Sequence, residues 1–280
     1  MRFDKAKLVF GKDWLEIRRN WQVILPIVLV PLMISVFIPV VLTLIATFAP
    51  GSGVSSFGGT SFGGFETLLQ SLPQQVQEQL AGLTEIQTMV YVMAFYFFAP
   101  FFLIIPLMAS SVIASDSFAG EKERKTIEAL LATPLSDSEL FLGKILVSFI
   151  PSMIITIVSF VVYTVIFDLL SFSFFSGMFL LPNLNWILLI FGLAPTVALA
   201  SIGLTVIISA KVKGFREAQQ ISVILLIPIL ALVFGQAAGA VVFGPLIIAL
   251  LTIVFAVIAF VVFRIGVSTF KREEILAKLA

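Results

Sequence analysis

Long apolar runs, separated by short charged segments, make up most of the chain. A helix needs about 20 residues to cross the hydrocarbon core of a bilayer, and the spacing of the charged residues leaves room for six such helices. The charge-free stretch between Glu217 and Arg264 is long enough for two crossings, which turn at about residues 235–245. The predicted transmembrane helices span residues 22–48, 87–114, 145–167, 186–209, 218–238 and 245–263.

The predicted external loop, residues 50–85, opens with glycine- and serine-rich sequence and ends beside a helix signal. Thr84 and Gln87 have the spacing of a capping box, in which each side chain bonds the backbone of the other residue. This pair predicts the start of the second transmembrane helix.

The N-terminal segment, residues 1–21, is amphipathic. Apolar and aromatic side chains recur at helical spacing, with lysine and arginine between them: Phe3, Phe10, Trp14, Ile17 and Trp21. This pattern is typical of a helix that lies in the headgroup layer of a membrane. A disordered basic N-terminus is the alternative. The predicted membrane-interface residues are Trp14, Arg18, Arg19 and Trp21.

The basic residues lie on one side of this topology. All 17 lysine and arginine residues precede the first helix, follow the sixth, or lie in the second–third and fourth–fifth connections. Because cytoplasmic loops are enriched in lysine and arginine, both termini and the segment 115–144 are predicted to be cytoplasmic. The expected location is the cytoplasmic membrane of a prokaryote, as a multi-pass protein.

Composition narrows the possible chemistry. Hydrophobic residues make up 60% of the chain and charged residues only 12%, and cysteine and histidine are absent from the sequence. Thiolate and imidazole ligands and the commonest general base are therefore missing. The sequence also lacks the G-x-x-x-x-G-K-[ST] loop that binds nucleotide phosphates. These features predict no catalytic site, metal site or bound cofactor on this chain, and no nucleic-acid partner.

Hydroxyl groups supply the modest polarity of the third and fourth predicted transmembrane helices. Such groups usually bond the backbone of their own helix. The alternative is that they form a weakly polar wall of a translocation path. The candidate residues for that path are Thr156, Ser159, Tyr163, Thr196 and Ser201.

The segment 115–144 is the longest charged stretch in the chain. Within it, Ile127, Leu130 and Leu131 recur at i, i+3 and i+4, so a short helix from about Glu121 has one apolar face. Pro134, three residues after Leu131, ends this predicted helix. A short amphipathic helix between two long apolar helices predicts a docking element, and a solvated loop is the alternative.

The same segment carries a longer motif. Its parts are Gly120–Arg124, Thr126–Leu131, Thr133–Ser136, Glu139–Leu140 and Gly143–Lys144, which read GEKER, TIEALL, TPLS, EL and GK. This run resembles the membrane subunit of ABC-2 type transporters, in the branch of sodium and multidrug exporters. A weaker likeness, FREAQ, stands at the start of the fifth transmembrane helix.

The resemblance implies an all-α membrane protein of ABC-2, type V exporter-like architecture. One domain over residues 1–280 would comprise an N-terminal interfacial amphipathic helix and six transmembrane helices. Two permease chains would pair, as a homodimer or a heterodimer, and separate ABC ATPase subunits would bind ATP and magnesium. The ATPase would dock on a coupling helix, residues 121–131. Its coupling residues would be Glu121, Lys122, Glu123, Arg124, Lys125, Ile127, Glu128, Leu130 and Leu131.

The family also implies a short re-entrant structure at residues 235–245. The external loop is shorter than the large external domain of many sodium exporters, and the membrane interior is uncharged. A lipid-like, amphipathic or drug-like substrate is therefore expected. A secondary carrier or channel, and a membrane scaffold subunit, are the other function classes that this pattern allows.

Overall fold

The structure is a computed structural model. It describes residues 3–48, 69–70, 72, 74–126, 137–212, 214–238 and 241–269. Their regular elements are all helical, with no strand among these residues. The predicted all-α fold is confirmed. Most of the predicted external loop, residues 50–85, and residues 127–136 lie outside the described ranges.

We describe the fold by eight helices, α1 to α8, in chain order. They are α1 Phe3–Ile17, α2 Trp21–Phe48, α3 Gln74–Leu80, α4 Glu85–Glu123, α5 Asp137–Ser171, α6 Leu184–Lys211, α7 Phe215–Ala237 and α8 Pro245–Thr269. Helices α2, α4 and α6 each contain at least one π-helical turn, and α7 contains a 3₁₀ turn. Thr84 and Gln87 form the predicted capping box at the start of α4.

Six of these helices, α2 and α4 to α8, are long and apolar enough to cross a membrane. This number confirms the predicted count. Helix α4 has 39 residues, and at 1.5 Å per residue it is about 58 Å long. Because the hydrocarbon core is only about 30 Å thick, α4 projects well beyond it. Its C-terminal turns and the first turns of α5 meet on the side rich in lysine and arginine.

An aromatic cluster around Trp186, in the first turn of α6, holds α4, α5 and α6 together. The ring of Trp186 lies 5.1 Å from Phe102, 5.0 Å from Tyr163 and 5.5 Å from Phe160, measured between centroids. The hydroxyl of Tyr163 donates to the carbonyl of Ala94 over 3.1 Å. These side chains belong to a hydrophobic core cluster that also includes residues of α2, α7 and α8.

Helices α6 and α8 approach closely at a glycine. A Cβ atom at Gly203 would lie 2.7 Å from Cγ1 of Val262, and no real Cβ atom approaches a carbon that closely. Small residues allow such backbone approach between membrane helices, where van der Waals packing drives association. Gly203 therefore sets the distance between α6 and α8.

We expect Gly203→Ala to destabilise the folded protein by about 1–3 kcal/mol, because the added methyl group overpacks the contact between α6 and α8. Thermal unfolding of the purified chain measures this effect. Val262→Ala in the same chain should recover part of the loss. Gly11→Ala is the matched control, since a Cβ there meets no atom within 4 Å. Equal unfolding temperatures for Gly203→Ala and Gly11→Ala would contradict the role of Gly203.

Candidate functional site

The charged segment begins as the last turns of α4 and not as a new helix. Helix α4 continues without a break through the π-helical turn Asp116–Gly120, and it ends at Glu123. Lys125 then takes a left-handed conformation, with φ of 58°. The predicted helix start near Glu121 is therefore wrong for the described residues. Gly120 does not interrupt the helix, which continues from the transmembrane part of α4 through Glu121.

Glu121 is fully buried, and its two carboxylate oxygens accept hydrogen bonds from two lysines. Lys144, on α5, donates to Oε2, and Lys12, on α1, donates to Oε1. Lys144 is also fully buried, and its ammonium nitrogen lies 3.6 Å from Oδ2 of Asp13. The end of α4 is thus ion-paired to both α1 and α5.

A second set of pairs lies at the half-exposed edge of this arrangement. Arg124 donates to Oδ1 of Asp116 over 3.0 Å and lies 3.7 Å from Oε2 of Glu16. Asn20, which caps the start of α2, donates to the same oxygen of Asp116 over 3.1 Å. Gly120 leaves space for the Arg124 pair, because a Cβ there would lie 2.8 Å from Oδ1 of Asp116.

These charged residues form a single network, which we call the ion cluster. It comprises Lys12, Asp13, Glu16, Asp116, Glu121, Arg124 and Lys144. Moving an isolated charge out of water is costly, and only close pairing with further hydrogen bonds offsets that cost. Each buried member has such a partner, so the cluster holds α1, α4 and α5 in one arrangement.

Lys12 lies at the centre of three carboxylates. Asp13, Glu16 and Glu121 are close enough together to share a cation. The ammonium group of Lys12 fills that position, at 3.4 Å from oxygens of Asp13 and Glu16 and hydrogen-bonded to Glu121. Partial burial favours a lower pKa for Lys12, but the hydrogen bond to Glu121 and the three negative charges outweigh it and raise the pKa.

The last turn of α4 also binds the connection between α6 and α7. Lys122 donates to the carbonyl of Val212 over 2.9 Å, just past the C-terminus of α6. Oε2 of Glu123 accepts from the backbone nitrogen of Phe215 over 2.9 Å, at the N-terminus of α7. A cation at a helix C-terminus and an anion at an N-terminus both complement the helix dipole. Four helices and one turn therefore converge on the end of α4.

The sequence prediction missed five members of the ion cluster: Lys12, Asp13, Glu16, Asp116 and Lys144. One signal was available for Asp13. It lies four residues from both Val9 and Ile17, and all three side chains are buried on one face of α1. An acidic residue on the apolar face of a helix indicates a buried, positively charged partner. The sequence does not identify that partner, because it depends on which helices pack together.

The predicted membrane-interface residues lie on or beside α1. Trp14 is half-buried, and Arg18, Arg19 and Trp21 are exposed. Their contact with a membrane stays a prediction.

Four of the five predicted translocation-path hydroxyls donate to backbone carbonyls. Thr156 and Thr196 donate within their own helices, to Ser152 and Leu193. Ser201 bridges two helices, donating to the carbonyl of Leu107 over 3.2 Å. Tyr163 bridges α5 and α4 in the same way, and Ser159 is buried. In this conformation Tyr163 and Ser201 join neighbouring helices, and a path along the five residues stays a prediction.

The predicted coupling residues fall into three groups. Glu121 to Arg124 bond groups of their own chain, as described above. Lys125 is exposed. The remaining residues lie outside the described ranges: Ile127, Glu128, Leu130 and Leu131.

A family model described as ABC-2 family transporter protein matches residues 8–242. This range contains the whole ion cluster and the connection between α6 and α7. Among curated proteins, none matches the chain.

Proposed function

Because the chain belongs to the ABC-2 family of transporter proteins, we propose that it is a permease subunit moved by a separate ATPase, and that it exports a lipid-like, amphipathic or drug-like substrate. The observation that carries this proposal is the convergence of α1, α5 and the α6–α7 connection on the last turns of α4. A force applied there acts on α4 itself. It also reaches α2, α5, α6 and α7, because residues in these helices or at their ends bond to α4.

The segment that follows α4 in sequence is the proposed docking site for the ATPase. It begins directly after Thr126, whose backbone nitrogen and hydroxyl both donate to the carbonyl of Glu121, over 3.0 and 3.3 Å. These bonds end α4 firmly, so a push on residues 127–136 is transmitted to α4. The buried pair between Glu121 and Lys144 then transmits it to α5.

The energy source is proposed to lie on the partner. The sequence contains no P-loop, so ATP and magnesium would bind the ATPase subunit, and the permease would bind no cofactor of its own. The cation-rich end, with both termini, would face the cytoplasm of a prokaryotic cell. Two permease chains, identical or different, would form the complex. We also propose that residues 235–245 form the re-entrant turn predicted from the sequence.

The chemistry of the helices supports an apolar or amphipathic substrate. A desolvated inorganic ion needs replacement ligands. Among the predicted path residues, Ser201 and Tyr163 bridge helices and already bond backbone carbonyls. A substrate with a large apolar part needs fewer such ligands. The proposal therefore favours lipid-like or drug-like cargo over a small ion.

We expect the double variant Leu130→Asp, Leu131→Asp to lose its ATPase partner. Charged groups cannot remain desolvated in an apolar contact without partners, so the amount of co-purifying ATPase should fall at least about tenfold. The measurement is affinity purification of the tagged permease from cells that express both subunits.

Lys211→Gln is the matched control for this experiment, since it changes an exposed side chain that is not among the predicted coupling residues. The thermal unfolding of the purified double variant should equal that of the unmodified chain. Undiminished co-purification with the double variant would contradict docking on this segment.

A further inference from the structure

An apolar groove of about 500 Å³ lies between α5, α6 and α8. Its walls include Phe141 and Phe149 of α5, Gly203 of α6, and Ala256 and Phe260 of α8. Thr196 contributes the one hydroxyl group among the lining residues, and that group donates to the carbonyl of Leu193 over 2.8 Å. The groove therefore offers an occupant dispersion contacts and apolar surface without a free hydrogen-bonding group.

The groove lies at the cation-rich end of the molecule. Phe141 is three residues from Lys144 of the ion cluster, and Phe260 and Phe263 lie on the last turns of α8. The guanidinium carbon of Arg264 lies 5.3 Å from the centroid of the Phe260 ring, and Arg264 is exposed. An arginine thus stands at the polar edge of an apolar groove.

We propose that this groove binds one acyl chain of an anionic phospholipid, whose phosphate pairs with Arg264. A methylene group occupies about the volume of a water molecule, about 30 Å³, so the groove holds about sixteen methylene groups. That is the length of one ordinary acyl chain. Guanidinium groups pair with phosphate in bidentate geometry, which gives the headgroup end its preference for phosphate.

A helix of a second protein copy fits this groove less well. A helix with its side chains is about 10 Å across and rises 5.4 Å per turn, so 500 Å³ accommodates about one turn. A single flexible chain fills the same volume along its whole length. The bound lipid is not assigned as the transported substrate, and the inference goes beyond the proposed transport function. It concerns binding by the permease chain alone.

The test is photo-crosslinking of the purified full-length chain in nanodiscs of phosphatidylcholine. The probe is phosphatidylglycerol with a diazirine in one acyl chain, added at low mole fraction. We expect label on the groove-lining residues of α5 and α8, identified by peptide mass spectrometry. Ala256→Trp, which fills the groove, should lower this labelling about tenfold.

Val254→Trp is the matched control, because residue 254 is exposed on a different face of α8. It should leave the labelling unchanged. Thermal unfolding of both variants shows whether each remains folded. Equal labelling in the Ala256→Trp variant and the unmodified chain would overturn the proposal. So would cysteine crosslinking between two copies at residue 256 together with an absence of lipid label.

The headgroup is tested with a phosphatidylcholine probe that carries the same diazirine. The unmodified chain should label more strongly with the anionic probe, and Arg264→Gln should reduce that preference about tenfold. Equal labelling by the two probes in the unmodified chain would refute the pairing of Arg264 with an anionic headgroup. Because these assays need no ATPase and no transport, their failure leaves the proposed function standing.

Discussion

Lys144→Met is expected to destabilise the folded protein by about 3–5 kcal/mol, the usual cost of removing one partner from a buried ion pair. The substitution leaves the carboxylates of Glu121 and Asp13 buried, and Lys12 as their remaining cationic neighbour. Thermal unfolding of the purified permease, and the yield of folded protein from membranes, measure this loss. It is the largest effect on stability that the structure predicts.

Two further variants separate this cause from a general effect of losing a lysine. Lys211→Met removes an exposed ammonium group at the end of α6 and should change stability little. Adding Glu121→Gln to Lys144→Met removes the uncompensated carboxylate and should recover part of the loss. A Lys144→Met variant as stable as the Lys211→Met variant would contradict the buried pair.

Glu123→Ala is expected to uncouple α7 from α4 while leaving the chain folded. The carboxylate of Glu123 caps α7 by accepting from the nitrogen of Phe215, and loss of such a cap costs about 1 kcal/mol. That amount is small against the stability of a folded protein. It nevertheless changes the ratio of attached to detached positions of α7 roughly fivefold.

Electron spin resonance on the assembled complex measures this uncoupling. The spin labels are placed at residue 125, which is exposed just after the end of α4, and at residue 216, which is exposed on α7. In the unmodified protein the distribution of distances between the two labels should stay narrow when ATP is added, because α4 and α7 move together. In the Glu123→Ala variant the distribution should broaden and shift with ATP.

Glu85→Ala is the matched control for that experiment. It removes an exposed carboxylate from the opposite end of the same helix and should leave the distances unchanged. If Glu123→Ala and the unmodified protein give the same narrow distribution with and without ATP, the cap does not transmit motion.

The sequence was sufficient to predict the helical architecture, because the signals for it are local. A run of apolar residues of sufficient length specifies a crossing on its own, and all six such helices are present. The capping box of Thr84 and Gln87 lies within four residues and was also predicted. Such features need no knowledge of which helices are neighbours.

The ion cluster could not be predicted in the same way, because its pairs join residues far apart in the chain. Glu121 bonds Lys12, 109 positions earlier, and Lys144, 23 positions later. In the sequence, Glu121 stands among alternating charges that are typical of an exposed surface. The continuation of α4 through Gly120 turns Glu121 toward α1 and α5, and only the packing of the three helices shows this.

The charged motif thus has two parts with different expected roles in this chain. Residues 121–124 bond other parts of the permease, whereas residues 127–136, which include the rest of the predicted coupling residues beyond Lys125, are the proposed contact with the ATPase. Substitutions in the first part should act through folding and internal coupling. Substitutions in the second part should act on assembly.

The most direct test is a cryo-EM structure of the permease bound to its ATPase. The account predicts that Glu121 stays paired with Lys12 and Lys144 of its own chain, and that the ATPase contacts residues 127–136 on the cation-rich side. An ATPase residue paired with Glu121 or Lys144, or an ATPase bound at the opposite face of the membrane, would contradict it.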